Sequence, residues 1–357
     1  MANWDDGLAE AVGQLLAEGE SANTTRSYRT ALRYWGAWFA LRFNSALELP
    51  VRPATVIQFI VDHAQRRTED GLAHGLPDAV DEELVRMRYK AKAGPLSLSS
   101  IQHRIAVLSQ LHRLHGLANP MDDVAVRQLL AKTRRAYANR GVRKDKKPAL
   151  THLPLQKLLA TCDSSLKGKR DRALLLFAVS SGGRRRSEVT QATMERLERL
   201  SAGTYVYVMG QSKTDQAAQE DAGAFKPVVG DAGAALEAWL AASGVTEGAI
   251  FRRVRRGDVV AEALNPAAVR RIVIERAKLA GLHDEGYSAH SLRAGFMTEA
   301  GLRNIPLPEA MALSGHASLD VAMGYFRAGN VVTSGAARLF DQTSEHSQTA
   351  DEAKPGS

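Results

Sequence analysis

Cysteine is nearly absent: Cys162 is the only one in 357 residues, so no internal disulfide can form, and the chain fits a reducing cytoplasm. Cys162 has no His or Cys at metal-ligand spacing, which argues against a zinc site. Long apolar runs are missing too. Residues 173–179, among the longest, fall far short of a bilayer span. The opening MANWDDGLAE is acidic and lacks the apolar core of a secretory signal. Membrane and export functions are therefore excluded as readings. No acidic cluster suits a pair of Mg²⁺ ions, and no pattern calls for a cofactor or a resident metal.

What is present is a globular composition with a basic excess. Apolar residues make up 45% and charged ones 24%, and the length suits two domains with ample core. Lys and Arg (47) outnumber Asp and Glu (39), a net charge of +8 that fits a polyanionic partner, although basic surfaces also occur without one. A helix is expected from Thr24, in TTRSYRTALRYWGAWFALRF. Tyr28, Leu32, Trp35 and Phe39 share one stripe and are expected inside; Arg26, Arg29 and Arg33 share another. The second stripe reads equally as a phosphate-facing surface or an ordinary solvated face. Residues 53–65 and 78–92 read as further helices, with a Gly-rich loop over 68–77. Residues 97–115 form a strong helix, capped by Ser97, with Ile101, Ile105 and Leu108 aligned. Arg104 sits on it with His103, His112 and Arg113, and its histidines read as surface residues. Residues 122–138 are another helix. No strand-period pattern appears before Lys147, so this half is expected to be all helical.

Residues 134–148 are the linker candidate. They hold Arg134, Arg135, Arg140, Arg143, Lys144, Lys146 and Lys147 against Asp145, and end at Pro148. Such a run is ordinarily just solvated; between two DNA-binding domains it would cross the duplex. Beyond it, helices are expected over 153–162, 169–180, 232–243, 265–280 and 291–300. The alternating TYVYVMG of residues 204–210 predicts a strand, residues 211–225 a long polar hairpin turn, and 226–229 the return strand. The fold class is thus mainly α, with an all-helical first half and a mixed α+β second half carrying a small antiparallel sheet. Near the end, Val332, Ala336, Leu339 and Phe340 make one small apolar face, and residues 343–357 read as polar and disordered.

The chemistry gathers in residues 287–327, YSAHSLRAGFMTEAGLRNIPLPEAMALSGHASLDVAMGYFR. His290 and Arg293, three apart, lie on one face of a helix. Gly315-His316 follows, then Tyr325-Phe326-Arg327. The set suits a phosphodiester: Arg grips phosphate oxygens, His moves protons, and Tyr can attack. Alone, H-x-x-R is a weak motif, and a lone tyrosine is more often half-buried core. The ordered set carries the weight.

AHSLRAG, LSGH and YFR, in this order and spacing, closely resemble box II of the tyrosine recombinases, or phage-integrase family. The layout is most similar to the simple Cre-type and Xer-type members, and the resemblance covers about residues 20–342. It implies a leader at 1–20, a helical core-binding (SAM-like) DNA-binding domain at 21–138 and a basic linker at 139–148. A catalytic domain would follow at 149–330, then a C-terminal helix for subunit exchange at 331–342 and a disordered tail at 343–357. SGGRRRSEV resembles the family's first arginine box, whose usual form is Gly, an apolar residue, Arg, any residue, Ser, Glu. Register on Ser187 and Glu188 makes Arg185 the catalytic arginine and turns Arg186 elsewhere. Arg184 then stands where the family has an apolar residue, which leaves Arg184 as the competing candidate. Glu188, one turn on, is placed to hold Arg185 by a charge-assisted bond.

The resemblance further implies that Lys213, in the hairpin turn, is the general acid for the leaving 5′ oxygen; on its own a turn lysine is an exposed charge. His290 would assist proton transfer at the nucleophile. His316 would donate to a phosphate oxygen, Arg293 would be the second phosphate-gripping arginine, and Tyr325 would be the nucleophile. The implied activity is metal- and ATP-independent site-specific recombination of double-stranded DNA, through a 3′-phosphotyrosine and a Holliday junction. The implied assembly is a homotetramer joined by the C-terminal helix. Expected DNA contacts are Arg26, Arg29, Arg33, Arg104, Arg143, Lys144, Lys146 and Lys147. The alternatives are type IB topoisomerase-like nicking and closing, and a catalytically silent DNA-binding relative. The complete chemical set argues against the silent relative. The helix expected beyond Tyr325 argues against a topoisomerase, which works as a monomer. A leader too short for an arm-binding domain favours a simple recombinase.

Overall fold

The computed structural model describes residues 22–142, 148–210 and 224–330. Two compact units divide the chain, residues 1–145 and 146–357. The leader at 1–20, Arg143, Lys144, Lys146 and Lys147 of the linker, Lys213 with its turn, and the segments 331–342 and 343–357 lie outside the described residues.

In the first unit the helices are α1 (Ala22–Phe43), α2 (Pro53–His63), α3 (Asp78–Arg86), α4 (Leu98–Leu114) and α5 (Val124–Asn139). Their starts follow local chemistry. Pro53 opens α2, Ser97 accepts from Ser100 N at α4, and Asp123 accepts from Ala125 N and Val126 N at α5. The core is aromatic: Trp35 stacks on Phe59 at 3.9 Å, and Trp38 meets the same ring edge-on. The buried stripe of α1 is Ala31, Tyr34, Trp35 and Trp38. Tyr28, Leu32 and Phe39, expected inside, are only half-buried, because the large rings of Tyr34 and Trp38 turn the inward face by one position. Arg26, Arg29 and Arg33 are exposed.

Two features of this unit differ from the sequence reading. Strands β1 (Arg66–Thr68) and β2 (Gly71–Ala73) form a short antiparallel hairpin where a loop in an all-helical half was expected. Both strands are almost wholly exposed, so neither has the in-out alternation that reveals a strand. His112, read as a surface residue, is fully buried. Its ring bonds Leu108 O through Nδ1 (2.8 Å) and accepts from Val51 N at Nε2 (2.9 Å).

The second unit begins with α6 (His152–Ala160), α7 (Leu166–Ser180) and α8 (Arg186–Thr190). A three-stranded antiparallel sheet follows, in the order β3 (Leu197–Ser201), β4 (Thr204–Val208), β5 (Phe225–Val228). Tyr205 and Tyr207 of β4 point into the core, opposite Val228 and Lys226 of β5. α9 (Asp231–Ser243) packs on α7, and β6 (Arg252–Arg255) pairs with β7 (Val259–Ala263) in a second hairpin the sequence did not suggest. α10 (Pro266–Leu279) is tied to α7 by a buried network: Asp171 accepts from Arg170 at 2.5 Å and from Arg276 at 2.7 Å. The unit ends in α11 (Ala289–Leu302), α12 (Leu307–Ser314) and α13 (Leu319–Asn330), around a small core of Met297, Ala300, Ala310 and Ala322.

Glycine fixes two of these contacts. A Cβ at Gly301 of α11 would stand 2.4 Å from Phe326 O, so α13 lies close on α11 only because that side chain is absent. A Cβ at Gly295 would meet Leu150 O at 2.0 Å, where Leu150 N donates to Ser291 O (2.8 Å). No described helix is long and apolar enough to cross a membrane.

Candidate active site

Three pieces of backbone meet in the second unit: the turn after α7, the first turns of α11, and the end of α12. Gly182 and Gly183 take φ values of 101° and 71°, the left-handed region open to glycine. A Cβ on Gly182 would be 2.2 Å from Leu313 O, and one on Gly183 would be 2.7 Å from Arg293 Cα. The Gly-Gly pair thus lets the turn sit against both α12 and α11, and delivers Arg184 and Arg185 between them.

The two arginines then part. Arg184 is 3% exposed and donates to Leu313 O at 2.6 Å. Arg185, with 29% of its side chain exposed, donates from Nη1 to Glu188 Oε1 at 2.6 Å. Glu188 Oε2 also accepts from Arg185 N at 2.8 Å, so one carboxylate fixes both ends of the residue. Arg186 is exposed, yet its charge is the strongest of those acting on His290, so it has not left the site's surroundings.

At the start of α11 Ser288 N donates to Ser291 Oγ (3.0 Å) and Ser291 N to Ser288 O (2.8 Å), and the helix carries His290 and Arg293 one turn apart. Arg293 donates to Ser314 O (2.7 Å), Gly183 O (3.2 Å) and Gly315 O (3.3 Å). Burial, and then the charge of Arg185, lower its pKa to about 10, which leaves it cationic at neutral pH. His316 follows the left-handed Gly315, with Nδ1 2.7 Å from the hydroxyl of buried Ser314. When Ser314 donates to Nδ1, the ring's hydrogen is on Nε2 and available to an acceptor. Burial first, and then Arg293 and Arg185, hold the His316 pKa down to about 4. His290 is lowered too, by desolvation and then by Arg186, Arg185 and Arg293.

Tyr325 is half-buried on α13, its ring centre 6.5 Å from that of His316. Thr298 of α11 donates to its backbone oxygen at 3.3 Å. Arg293 feels the phenol electrostatically. Arg185, His290, Arg293, His316 and Tyr325 therefore share one neighbourhood, in which Glu188 is the carboxylate that acts on Arg293 and His316. Crowded cations and neutral imidazoles of this kind favour an incoming anion that donates no proton. The turn glycines and Ser314 were not singled out in the sequence; SGG before the arginines and the serine of LSGH were the available signals.

Of the expected DNA contacts among the described residues, Arg26, Arg29 and Arg33 are exposed, and the Arg33 guanidinium lies 5.6 Å from the ring centre of Tyr89. Arg104 lies across the ring of Tyr34 at 4.0 Å, and burial lowers its pKa, so its guanidinium is partly engaged in packing α4 on α1.

The model of the Phage integrase family matches residues 148–330, more than half of the chain. The chain belongs to the phage integrase family. As a tyrosine recombinase it is similar to an integrase/recombinase XerD homolog of Selenomonas ruminantium, at 26% identity over 325 residues, 88% of this chain and 84% of that protein. The Cre recombinase of Escherichia phage P1 is 23% identical over 336 residues, covering 90% and 88%. In fold, the recombinase resembles a lambda integrase dimer bound to a COC′ core site, with TM-score 0.53, 16% identity, and 90% of this chain and 94% of that one covered. It also resembles the Tn1549 transposon integrase in complex with transposon right end DNA, with TM-score 0.52, 13% identity, and 92% and 96% covered.

Proposed function

We propose that this recombinase cleaves and rejoins double-stranded DNA at specific sites through a 3′-phosphotyrosine link and a Holliday junction, as a tetramer on two sites. The observation that carries the reading is the convergence of two arginines, two neutral imidazoles and one phenol: Arg185 and Arg293, His290 and His316, Tyr325. Tyr325 Oη bonds to the scissile phosphorus as the bond to the 5′ oxygen breaks. The phenol proton goes to His290, whose lowered pKa keeps the ring neutral and able to accept it. Arg185 and Arg293 neutralise the non-bridging oxygens, and His316 donates to one of them. Lys213 supplies the proton for the departing 5′ hydroxyl. The 5′ hydroxyl of a partner strand then attacks the phosphotyrosine, restores the phosphodiester and frees Tyr325, so no ATP is consumed.

Fixed guanidinium groups take the place of metal ions at the phosphate in this scheme. Strand exchange is therefore expected to survive EDTA, and cleavage lost on chelation and restored by Mg²⁺ would contradict it. The first unit, the basic linker and residues 331–342 are assigned to holding the duplex and joining neighbouring subunits in the cytoplasm. A nicked suicide duplex tests the assignment of Tyr325. Tyr325→Phe is expected to bind its site with parental affinity and form no covalent adduct, because the ring still packs and only the phenol oxygen is gone. Normal adduct from Tyr325→Phe would remove Tyr325 from the role.

A further inference from the structure

The end of α12 is held by three cations. Lys226 Nζ donates to Ala312 O (3.0 Å), Arg184 Nη2 to Leu313 O (2.6 Å), and Arg293 Nη1 to Ser314 O (2.7 Å). These carbonyls belong to the last turn of the helix, where intrahelical partners run out and the dipole is negative. His316 comes two residues after the last of them. Arg184 also lies 3.7 Å from Glu188 Oε2, the carboxylate that grips Arg185 at both ends. Its Nε, buried, has no hydrogen-bond partner among the described residues. A charge has been placed inside at a position where an apolar side chain would carry no such cost. It stands between the loop that presents Arg185 and the helix end that presents His316.

We infer that Arg184 is a positioning residue: it locks the end of α12, and with it His316, to the loop that holds Arg185, and does not itself touch the scissile phosphate. The inference rests on the proposed reading of Arg185 and His316 as phosphate-facing groups. The tri-arginine run then divides its work. Arg184 serves the protein's own backbone, and Arg185 serves the substrate. Leu313 O is within reach of Arg184 only because Gly182 has no side chain there, so SGGR functions as one unit.

Single-turnover adduct formation on a suicide duplex, with affinity measured in parallel, tests this. A methylphosphonate at the scissile position lacks one negative charge, so it lessens the demand for a guanidinium on the phosphate and leaves the demand for alignment unchanged. Arg184→Met is expected to keep affinity within about twofold and to cleave about 10- to 100-fold more slowly, on phosphate and methylphosphonate alike. Arg185→Ala, in contrast, is expected to regain most of its rate on methylphosphonate. Arg184→Lys, still able to donate to Leu313 O, is expected to cleave near the parental rate. Parental cleavage by Arg184→Met, or its repair by methylphosphonate, would overturn the assignment. Should Arg184→Met not fold, as judged by circular dichroism, Arg184→Lys decides. Near-parental rates on both linkages support the lock, and a loss on either overturns it. If the parent itself forms no tyrosine adduct, the proposed function falls first and this inference with it.

Discussion

At the residue scale the site turns on protonation. In the proposed scheme His316 donates to a phosphate oxygen as a neutral imidazole, so it must not become imidazolium under working conditions. His316 meets this through burial and the nearby guanidinium charges, which hold its pKa at about 4 against an ordinary 6.5. Its neutral form is kept as pH falls until that lower value is reached. Nuclear magnetic resonance of the DNA-free protein should therefore show no titration of this ring between about pH 8 and about pH 5. A midpoint near the ordinary histidine value would contradict the packing around Ser314 and Arg293. Lys213 offers a chemical test of the leaving group. Lys213→Ala should lose roughly 10²- to 10⁴-fold in cleavage on normal DNA. It should recover on a duplex with sulfur at the 5′ bridging position, because a thiolate leaves without a proton. Equal slowness on both would mean the lysine is not the acid. His290, Arg293, His316 and Tyr325 could be picked out as candidates because helical spacing and motif order are written in the sequence. It left Arg184 and Arg185 in competition, since three adjacent arginines look alike until one of them is seen bonded to a carbonyl 129 positions away.

At the scale of elements, close approach decides where Tyr325 sits. Gly301→Val would press a side chain into Phe326 O, already at 2.4 Å from an added Cβ. The expected result is a stability loss of about 1–3 kcal/mol together with slowed cleavage, as α13 moves off α11. Unchanged melting and unchanged cleavage would mean that α13 is not seated on Gly301. In the first unit, His63 Nδ1 donates to Phe59 O (2.8 Å), so its Nε2 accepts from the Tyr34 hydroxyl at 2.8 Å; burial holds the ring neutral, its pKa lowered to about 3 from 6.5. The unfolded chain then binds the extra proton between those values. The contribution of His63 to stability is complete above about pH 6.5 and is lost below it, by up to about 1.4 kcal/mol per pH unit, toward about pH 3. Hydrogen exchange of α1 and α2 should follow that slope, and His63→Gln should flatten it. A slope unchanged in His63→Gln would assign it to other groups. The lengths of α1, α4, α5 and β4 could be read from periodicity and caps. The two hairpins β1–β2 and β6–β7 could not: β1 and β2 are exposed and carry no alternation, and β6 alternates in burial while three of its four residues are arginine, so no apolar alternation marks it in the sequence. The short helix α12 also escaped notice, since its single turn-pair owes its position to packing on α11 and not to its own pattern.

At the scale of the whole molecule, a net charge of +8 and the exposed Arg26, Arg29 and Arg33 point the protein toward a polyanion. If these residues and the basic linker follow the DNA backbone, affinity should fall with salt at a log–log slope of about −0.9 per phosphate contact. A nearly flat dependence would place the charge off the duplex. Removal of residues 331–357 should spare binding to a single site and impair synapsis of two, as read by gel shift; full recombination by the shortened chain would exclude an essential role in joining subunits. The covalent link at Tyr325 can be trapped and read on the protein itself. The protein is trapped on a suicide duplex and digested with trypsin, and the DNA-bearing peptide is sequenced by mass spectrometry. Cleavage after Arg303 and Arg327 isolates residues 304–327, whose one tyrosine is Tyr325. The predicted result is a 3′-phosphate of DNA on that tyrosine. A link at any other residue, or through a 5′-phosphate, would contradict the account.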